Sequence, residues 1–281
     1  MTDYPLSYSQ VSTLRTCGEQ YRLRYIEKAP KRPSCAAVGG TIIHSVCDVI
    51  DRQLLAGVRD PSALEREALR SGADELADEV GRLMLKPGPY SDPATWQSYG
   101  RKTNEWPGAQ NMVWYDQVGI PAAIGNYIDW RLDNLDLVPL EIPGFGPAIE
   151  VPFDVYLDGM QIRGFIDRIF VSASTGGHAL LDLKSGLKPK TDEQLGLYRL
   201  AADLLPGNFQ WGYYLYGLKY SDKPAILSQP IDLSHWTKDK LLSVYAPAAK
   251  TIAAKLFMPS PGEACMHCSV SASCDFAVSA L

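Results

Sequence analysis

The fold is decided by one stretch of the chain, residues 160–184, which reads Met160-Gln-Ile-Arg-Gly-Phe-Ile-Asp167-Arg-Ile-Phe-Val-Ser-Ala-Ser-Thr-Gly-Gly-His178-Ala-Leu-Leu-Asp182-Leu-Lys184. Before it, residues 149–157 alternate apolar and polar side chains, and Asp158-Gly159 is a typical two-residue hairpin turn. We therefore predict a meander of three antiparallel strands over 149–157, 160–171 and 178–184, with Pro152 suited to a sheet edge.

The register of this meander places three acidic residues in a row. Counting back along both strands from the turn at Asp158-Gly159 sets Glu150 opposite Asp167. A second turn centred on residues 174–175 sets Asp167 opposite Asp182 in the same way. Moving the centre of that turn to the next two residues would slide the pairing but keep the three acids on one face of the sheet.

A row of acids needs an explanation from outside the sheet, because like charges placed opposite each other destabilise it. A divalent cation supplies one, since Mg²⁺ takes carboxylate oxygens, and such metals activate water and stabilise charge on a phosphate. Lys184 lies two residues beyond Asp182 on the same face, where it could hold that water or neutralise the phosphate. The alternative is a solvated sheet face, against which Leu180, Leu181 and Leu183 indicate buried surroundings.

The rest of the chain shows both helical and strand patterns. Helices are predicted over 7–27, from about 39, over 61–85 and 109–135, from about 191, and over 234–257 with a bend at Pro247. Strands are predicted over 209–219 and 225–232, and the Pro- and Gly-rich residues 86–108 indicate a long irregular loop. We expect an α/β core with a helical insertion, divided into 1–50 (N-terminal helices), 51–148 (insertion), 149–233 (core) and 234–281 (final helix and cysteine segment).

Four motifs, in this order along the chain, resemble elements of a known family. The family is the RecB-like branch of the PD-(D/E)xK nucleases, which includes the exonucleases of CRISPR adaptation and AddB. The motifs are Gly40-Thr41-Ile-Ile-His44, Gly164-Phe-Ile-Asp167-Arg168, Leu181-Asp182-Leu-Lys184-Ser-Gly186 and Gln194-Leu-Gly-Leu-Tyr198. Each motif is weak alone, but their common order makes the resemblance specific.

The resemblance implies a restriction-endonuclease-like core, in which helices flank a central mixed sheet. It implies a deoxyribonuclease that uses Mg²⁺ or Mn²⁺, and an exonuclease that acts on single-stranded or end-containing duplex DNA. A helicase or a CRISPR adaptation protein would be its partner, and an oligomer would be in keeping with some relatives. The alternative is a non-cleaving DNA-binding or partner-docking module of the same fold, against which the intact acids and lysine argue.

The resemblance also implies roles for individual residues. His44, Asp167 and Asp182 would be metal ligands, and Lys184 would be catalytic together with the acids. Gln194 and Tyr198, which share one face of a helix, would lie near the DNA strand. Glu150 joins the metal ligands on the register argument alone.

Four of the six cysteines form a candidate cofactor site. Cys265, Cys268 and Cys274 lie close together near the C-terminus, and Cys17 near the other end is the natural fourth ligand. Thiolates suit either zinc or a [4Fe-4S] cluster. The distant fourth ligand favours the cluster over a zinc ribbon, and iron–sulfur members of the same family share this spacing. They commonly have Pro after the first cysteine, where this chain has Gly18; we expect a different local turn with ligation unchanged.

Composition and charge further limit the class of protein to which the chain can belong. A hydrophobic content of 46% is ordinary for a globular chain, and a net charge of −5 argues mildly against a nucleic-acid binder. The charge is uneven, because residues 12–34 carry six basic and two acidic side chains, which allows either a basic face or an ordinary solvated helix. Without a spanning apolar run or a signal-peptide pattern, we expect a cytoplasmic protein without membrane contact.

Aromatic residues crowd the irregular loop and the helix predicted after it. They are Tyr90, Trp96, Tyr99, Trp106, Trp114 and Tyr115. We expect most of them to pack the insertion, and stacking on the bases of a single strand is the alternative.

Overall fold

A curled mixed sheet lies at the centre of the protein, whose computed structural model describes residues 5–92, 95–97 and 119–278. The strands in these residues are β1 (Leu137–Pro139), β2 (Glu141–Ile142), β3 (Gly146–Pro147), β4 (Ile149–Leu157), β5 (Met160–Ser172), β6 (His178–Lys184), β7 (Trp211–Tyr216), β8 (Ile226–Leu227) and β9 (Ile231–Asp232). The sheet has the order β1-β5-β6-β7-β8, with β4 also paired to β5 and β9 to β7, while β2 and β3 form a separate ribbon. Because β6 and β7 run parallel and the other pairs antiparallel, the sheet is mixed, as predicted.

The central meander has the predicted register. The turn at Asp158-Gly159 joins β4 to β5, and the paired positions on either side of Glu150 set it opposite Asp167. The pairing of β5 with β6 ends at Arg168 and Leu181, so the next position sets Asp167 opposite Asp182. The row of three acids therefore follows from two tight connections and the two-residue period of a strand.

Helices cover both faces of the sheet. They are α1 (Tyr8–Thr16), α2 (Gly18–Tyr21), α3 (Cys35–Leu55), α4 (Pro61–Met84), α5 (Ile120–Asp133), α6 (Glu193–Ala202) and α7 (Lys238–Ala253). Helix α3 begins earlier than predicted, because the Ser34 side chain accepts a hydrogen bond from the Ala37 N–H and caps it. Helix α5 begins at Ile120, and residues 109–118 of its predicted span lie outside the described residues. None of the helices described has both the length and the apolarity needed to cross a membrane.

Two apolar cores lie on opposite faces of the sheet. One packs α3, α4 and α5 against strand residues that include Leu181 and Leu183. The other packs α1, α6 and α7 against strand residues that include Leu180. Because side chains alternate along a strand, Asp182 and Lys184 share the face of Leu180 and point toward α6.

The helix predicted over 7–27 is interrupted at Cys17, whose backbone is extended. The chain continues as α2 and then as a π-helical turn over Arg22–Ile26. The Gly18 N–H donates to the Met258 carbonyl oxygen over 2.9 Å, and a Cβ atom on Gly18 would lie only 2.5 Å from the Met258 nitrogen. The break therefore lets the C-terminal segment pack directly against the N-terminal helices, and it explains why glycine follows Cys17.

The loop after α4 uses its described aromatic residues for packing. Trp96 is buried in the core beside α3 and α4, and its indole N–H donates to the Tyr90 carbonyl oxygen over 2.7 Å. Tyr90 is half-buried against the same core. The packing interpretation is confirmed for these two residues, whereas the other four aromatic residues named for this region lie outside the described residues.

Candidate active site

Three potential metal ligands from three elements meet at one point. His44 lies in the middle of α3, Glu150 on β4 and Asp167 on β5. His44 Nδ1 is 3.2 Å from Glu150 Oε1 and 3.8 Å from Asp167 Oδ2. One ligand atom from each residue lies within 4.8 Å of the other two. An imidazole nitrogen and two carboxylate oxygens this close together suit one divalent cation.

The electrostatics of this three-ligand group favour a bound cation. Burial would lower the pKa of His44, but the Asp167 carboxylate and the hydrogen-bonded Glu150 raise it to about 9. The backbone of Glu150 has a left-handed conformation with a φ of 50°, which is strained for a residue with a side chain. Strain of this kind persists where the surroundings hold it, often at ligand sites. Here the left-handed backbone conformation places the Glu150 carboxylate against the His44 ring.

Asp182 and Lys184 lie beside the three-ligand group on β6. Lys184 Nζ is 2.7 Å from Asp182 Oδ2, so the two side chains form an ion pair. Burial and the neighbouring Asp167 carboxylate raise the pKa of Asp182. Two buried acids this close together favour further positive charge beside them, and a cation would supply it. Asp182 itself is not a member of the three-ligand group.

Helix α6 supplies a network that orients the acids. The Tyr198 hydroxyl lies 3.1 Å from Asp167 Oδ1 and 3.0 Å from Asp182 Oδ1, so its proton can be shared between the two carboxylates. Gln194 donates to the Tyr198 oxygen over 3.0 Å and accepts from Lys184 Nζ over 3.2 Å. The second oxygen of Asp167 accepts the Leu183 N–H over 2.7 Å. Tyr198 is buried, and both Tyr198 and Gln194 line the open cleft.

Sequence reasoning missed a buried ion network that ties α3 to the sheet. Arg168 Nε and Arg131 Nε donate to the two carboxylate oxygens of Asp51, each over 2.7 Å, and Arg168 also donates to Asp48. The Tyr127 hydroxyl donates to Asp51 over 2.6 Å. The sequence contained a signal for this network, because Asp48 and Asp51 follow His44 at helical spacing on one face of α3. The network holds the helix that carries His44 against the strand that carries Asp167.

An open cleft of about 760 Å³ leads to the three-ligand group. Its walls include Phe153, Phe165, Arg163 and Leu197. A Cβ atom on Gly164 would lie 2.5 Å from the Phe153 ring, so the glycine of this motif leaves room for that ring. Phe165 is 58% exposed, which gives the cleft an apolar surface beside its charged floor.

The four predicted cysteine ligands are brought together around one small pocket. Cys17 lies between α1 and α2, while Cys265, Cys268 and Cys274 lie in or next to two short 3₁₀ turns of the C-terminal segment. Burial raises the pKa of Cys268, and the three other cysteines contribute to that shift. Backbone groups of Val278 and Gly262 lower the pKa of Cys265.

The chemistry of the four thiols bears on the kind of cofactor that would fit. Four thiolates around one pocket can bind either a zinc ion or a [4Fe-4S] cluster. The pocket therefore suits a thiolate-bound metal cofactor of either kind.

Comparison with known proteins gives one family and two relatives. The sequence profile of the PD-(D/E)XK nuclease superfamily matches residues 5–275. The chain is 28% identical to the Gene 69 protein of Mycobacterium phage L5 over 292 aligned residues, which cover 95% of both chains. It is 29% identical to the Gene 69 protein of Mycobacterium phage D29 over 273 residues, again with 95% of both chains covered. The names of these relatives state no activity.

Proposed function

The chain belongs to the PD-(D/E)XK nuclease superfamily, and we propose that it is a metal-dependent deoxyribonuclease that works as an exonuclease on DNA ends. The observation that carries this proposal is the group of His44, Glu150 and Asp167 beside the Asp182–Lys184 pair. Family membership implies nuclease activity. The preference for DNA ends comes from the resemblance of the four motifs.

The three-ligand group would hold one Mg²⁺ or Mn²⁺ ion, and Asp182 would supply a further carboxylate ligand. The bound ion would supply an activated water and neutralise charge on the phosphate. Carboxylates suit Mg²⁺ and Mn²⁺ alike, and the imidazole of His44 favours Mn²⁺ as the softer of the two. The carboxylates must face the ion for this, and the hydrogen bonds from Tyr198 and Leu183 fix their orientation.

Lys184 would be the catalytic cation of this chain. Its ammonium group is placed by Asp182 at 2.7 Å and by Gln194 at 3.2 Å, and it retains some exposure beside the cleft. A fixed positive charge there can stabilise the negative charge that develops on the phosphate oxygens during hydrolysis. Gln194 and Tyr198 act through their neighbours as positioning residues.

The cysteine pocket would hold a [4Fe-4S] cluster with a structural role. The four thiols would join the N-terminal helices to the C-terminal segment and so close a very long loop. The distance of Cys17 along the chain from the other three cysteines supports the cluster. Iron and zinc analysis of anaerobically purified protein tests this point, and zinc without iron would overturn it.

The experiment that tests the nuclease compares linear and circular labelled DNA in Mg²⁺ or Mn²⁺. We expect the protein to degrade linear DNA, and Lys184→Ala to slow cleavage about 100- to 1,000-fold, because one charge-stabilising group is lost. Lys190→Ala is the matched control, since Lys190 is an exposed lysine in the connection between β6 and α6. Degradation of circular DNA at the same rate would replace the exonuclease with an endonuclease.

Two outcomes would contradict the proposal. Full cleavage by Lys184→Ala would show that the chemistry lies elsewhere in the molecule. Failure to cut any DNA in either metal, with binding preserved, would favour the non-cleaving binding module. A helicase or CRISPR adaptation partner, an oligomer and a cytoplasmic location remain predictions from the sequence.

A further inference from the structure

A second, strongly basic concave surface lies apart from the active-site cleft. We call it the basic groove and define it by its positively charged residues and one histidine, which are Arg24, Lys28, Lys31, Arg32, Lys86 and His267. The groove has a volume of about 630 Å³. Its walls come from the π-helical turn, the segment before α3, the end of α4 and the cysteine segment. Four of its cations lie within residues 12–34, where the excess of basic side chains allowed a basic face.

The positive charge of the basic groove is not neutralised by the carboxylates of residues 5–92, 95–97 and 119–278. None of its five lysine and arginine side chains forms an ion pair with a carboxylate of the described residues. Glu79 is the one acid among the described residues of the lining, and it is paired with Arg82 at 2.6 Å. Burial and the nearby charges of Arg24 and Lys86 lower the pKa of Lys31. Cations crowded in this way call for an anion from outside.

The position of the basic groove relates it to the three-ligand group. Thr41 lines the groove, and His44 lies three residues later on the same helix, α3. Three residues of helix advance by only about 4.5 Å, and residues at this spacing are neighbours on the helix surface. The groove therefore begins about one helical turn from the proposed metal ligand.

We propose that the basic groove binds the phosphate backbone of the nucleic-acid strand that flanks the scissile phosphodiester. This inference rests on the proposed function, because it names the path of the substrate. The cations come from four separate segments of the chain, so they are distributed along the groove. A nucleic-acid strand has regularly spaced phosphates and could contact several of these cations at once. On a protein with a net charge of −5, a local track of this kind is also needed to offset general repulsion of nucleic acid.

A matched pair of triple variants tests the proposal. Lys28→Gln, Lys31→Gln and Lys86→Gln remove three exposed cations of the groove whose side chains make no hydrogen bond in the structure described. Lys238→Gln, Lys240→Gln and Lys250→Gln remove three exposed cations from α7 and serve as the control with the same change in charge. Circular dichroism confirms that both variants fold.

Binding is measured by fluorescence anisotropy in EDTA, so that no cleavage occurs, over a range of salt concentrations. We use single strands of about 4 and about 16 nucleotides, which bracket the site sizes of single-strand binders. For the longer strand the groove variant should lose affinity, and its slope of log K against log salt should fall by about 2, because each phosphate contact contributes about 0.7. The control variant should keep the wild-type slope, and the short strand should bind all three proteins alike.

The outcomes separate this inference from the proposed function. If the groove variant keeps the affinity and slope of the wild type while the wild type cleaves DNA, the groove inference is wrong and the nuclease stands. If no DNA is cleaved but the slope falls as expected, the groove is confirmed as a binding site for the phosphate backbone, and only the nuclease and the scissile bond that it requires are overturned. Displacement of the long strand by millimolar inorganic phosphate or a mononucleotide would make the groove a small-anion pocket and overturn the proposal.

Discussion

Phe165 shows how one residue can shape substrate choice. It lies two residues before Asp167 on β5, and both residues line the same cleft. It is 58% exposed and lines the cleft, whereas most large apolar side chains of this sheet are buried. An exposed aromatic ring beside the proposed nuclease site offers a surface on which a base can stack. Sequence reasoning placed base stacking in the loop after α4, and Phe165 is a better candidate.

Phe165→Ala should weaken the use of single-stranded substrates. Stacking contributes about 1–3 kcal/mol per base, so we expect KM for a single-stranded oligonucleotide to rise about five- to hundredfold with kcat little changed. Tyr156→Ala is the control, because Tyr156 is an exposed aromatic residue of β4 outside the cleft lining. Steady-state kinetics of both variants decide the point, and an unchanged KM for Phe165→Ala would exclude stacking there.

Helix α3 connects three functional features. Its first half lines the basic groove at Thr41, its middle supplies His44, and its second half reaches the buried arginines through Asp48 and Asp51. A buried charge that loses its partner is strongly destabilising, by about 3–5 kcal/mol. The network is therefore a strong constraint on how α3 lies against β5, and hence on the distance between His44 and Asp167.

Gly18 controls the packing of two elements, the N-terminal helices and the C-terminal segment. In Gly18→Ala the new Cβ would meet the Met258 backbone, and overpacking of this kind costs about 1–3 kcal/mol. We expect a fall in Tm of roughly 3–10 °C and a lower iron content, because the segment that carries three cysteines must shift.

The control for this prediction is a glycine without close neighbours. A Cβ atom on Gly125, within α5, meets nothing within 4 Å, so Gly125→Ala should be neutral or slightly stabilising. Thermal melts and iron analysis are made on both variants in parallel. Equal Tm values for the two variants would contradict the packing argument at Gly18.

At the scale of the whole molecule, the cysteine pocket joins the two ends of the described chain. The Arg32 N–H donates to the Ser269 carbonyl oxygen over 2.7 Å, and Gln97 donates to the Met266 carbonyl oxygen over 2.9 Å. The segment that holds three cysteines therefore also forms part of the wall of the basic groove, through His267 and Ser269. Loss of the proposed cluster should therefore disturb both the stability of the protein and the proposed binding of DNA to the basic groove.

Cys274→Ser tests this coupling. A cross-link that closes a long loop contributes several kcal/mol, so we expect Tm to fall by roughly 10 °C. The same variant should bind less iron and should bind long single strands more weakly. Ser273→Ala, at the exposed neighbouring position, is the control. A Cys274→Ser protein with wild-type iron and Tm would remove Cys274 from the ligand set.

Much of the sheet could be predicted because its rules are local. A two-residue turn fixes the register of a hairpin, and the period of a strand then assigns every side chain to a face, so Glu150, Asp167 and Asp182 could be aligned by counting. The predicted ends of elements were less accurate. Capping by Ser34 moved the start of α3, and the contact of Gly18 with Met258 divided the first helix. The proposed division into four domain segments stays a prediction.

The sequence by itself therefore determined the meander, the row of acids and the face of Lys184, because these depend on turns and periodicity within about 40 residues. Only the tertiary structure decided that His44 meets Glu150 and Asp167, that Tyr198 lies between two carboxylates, and that the cations form one groove. It also decided that Arg168, beside Asp167 in the sequence, points to the opposite face and binds Asp51. These contacts join distant segments, and they depend on how the helices pack on the two faces of the sheet, which no local pattern specifies.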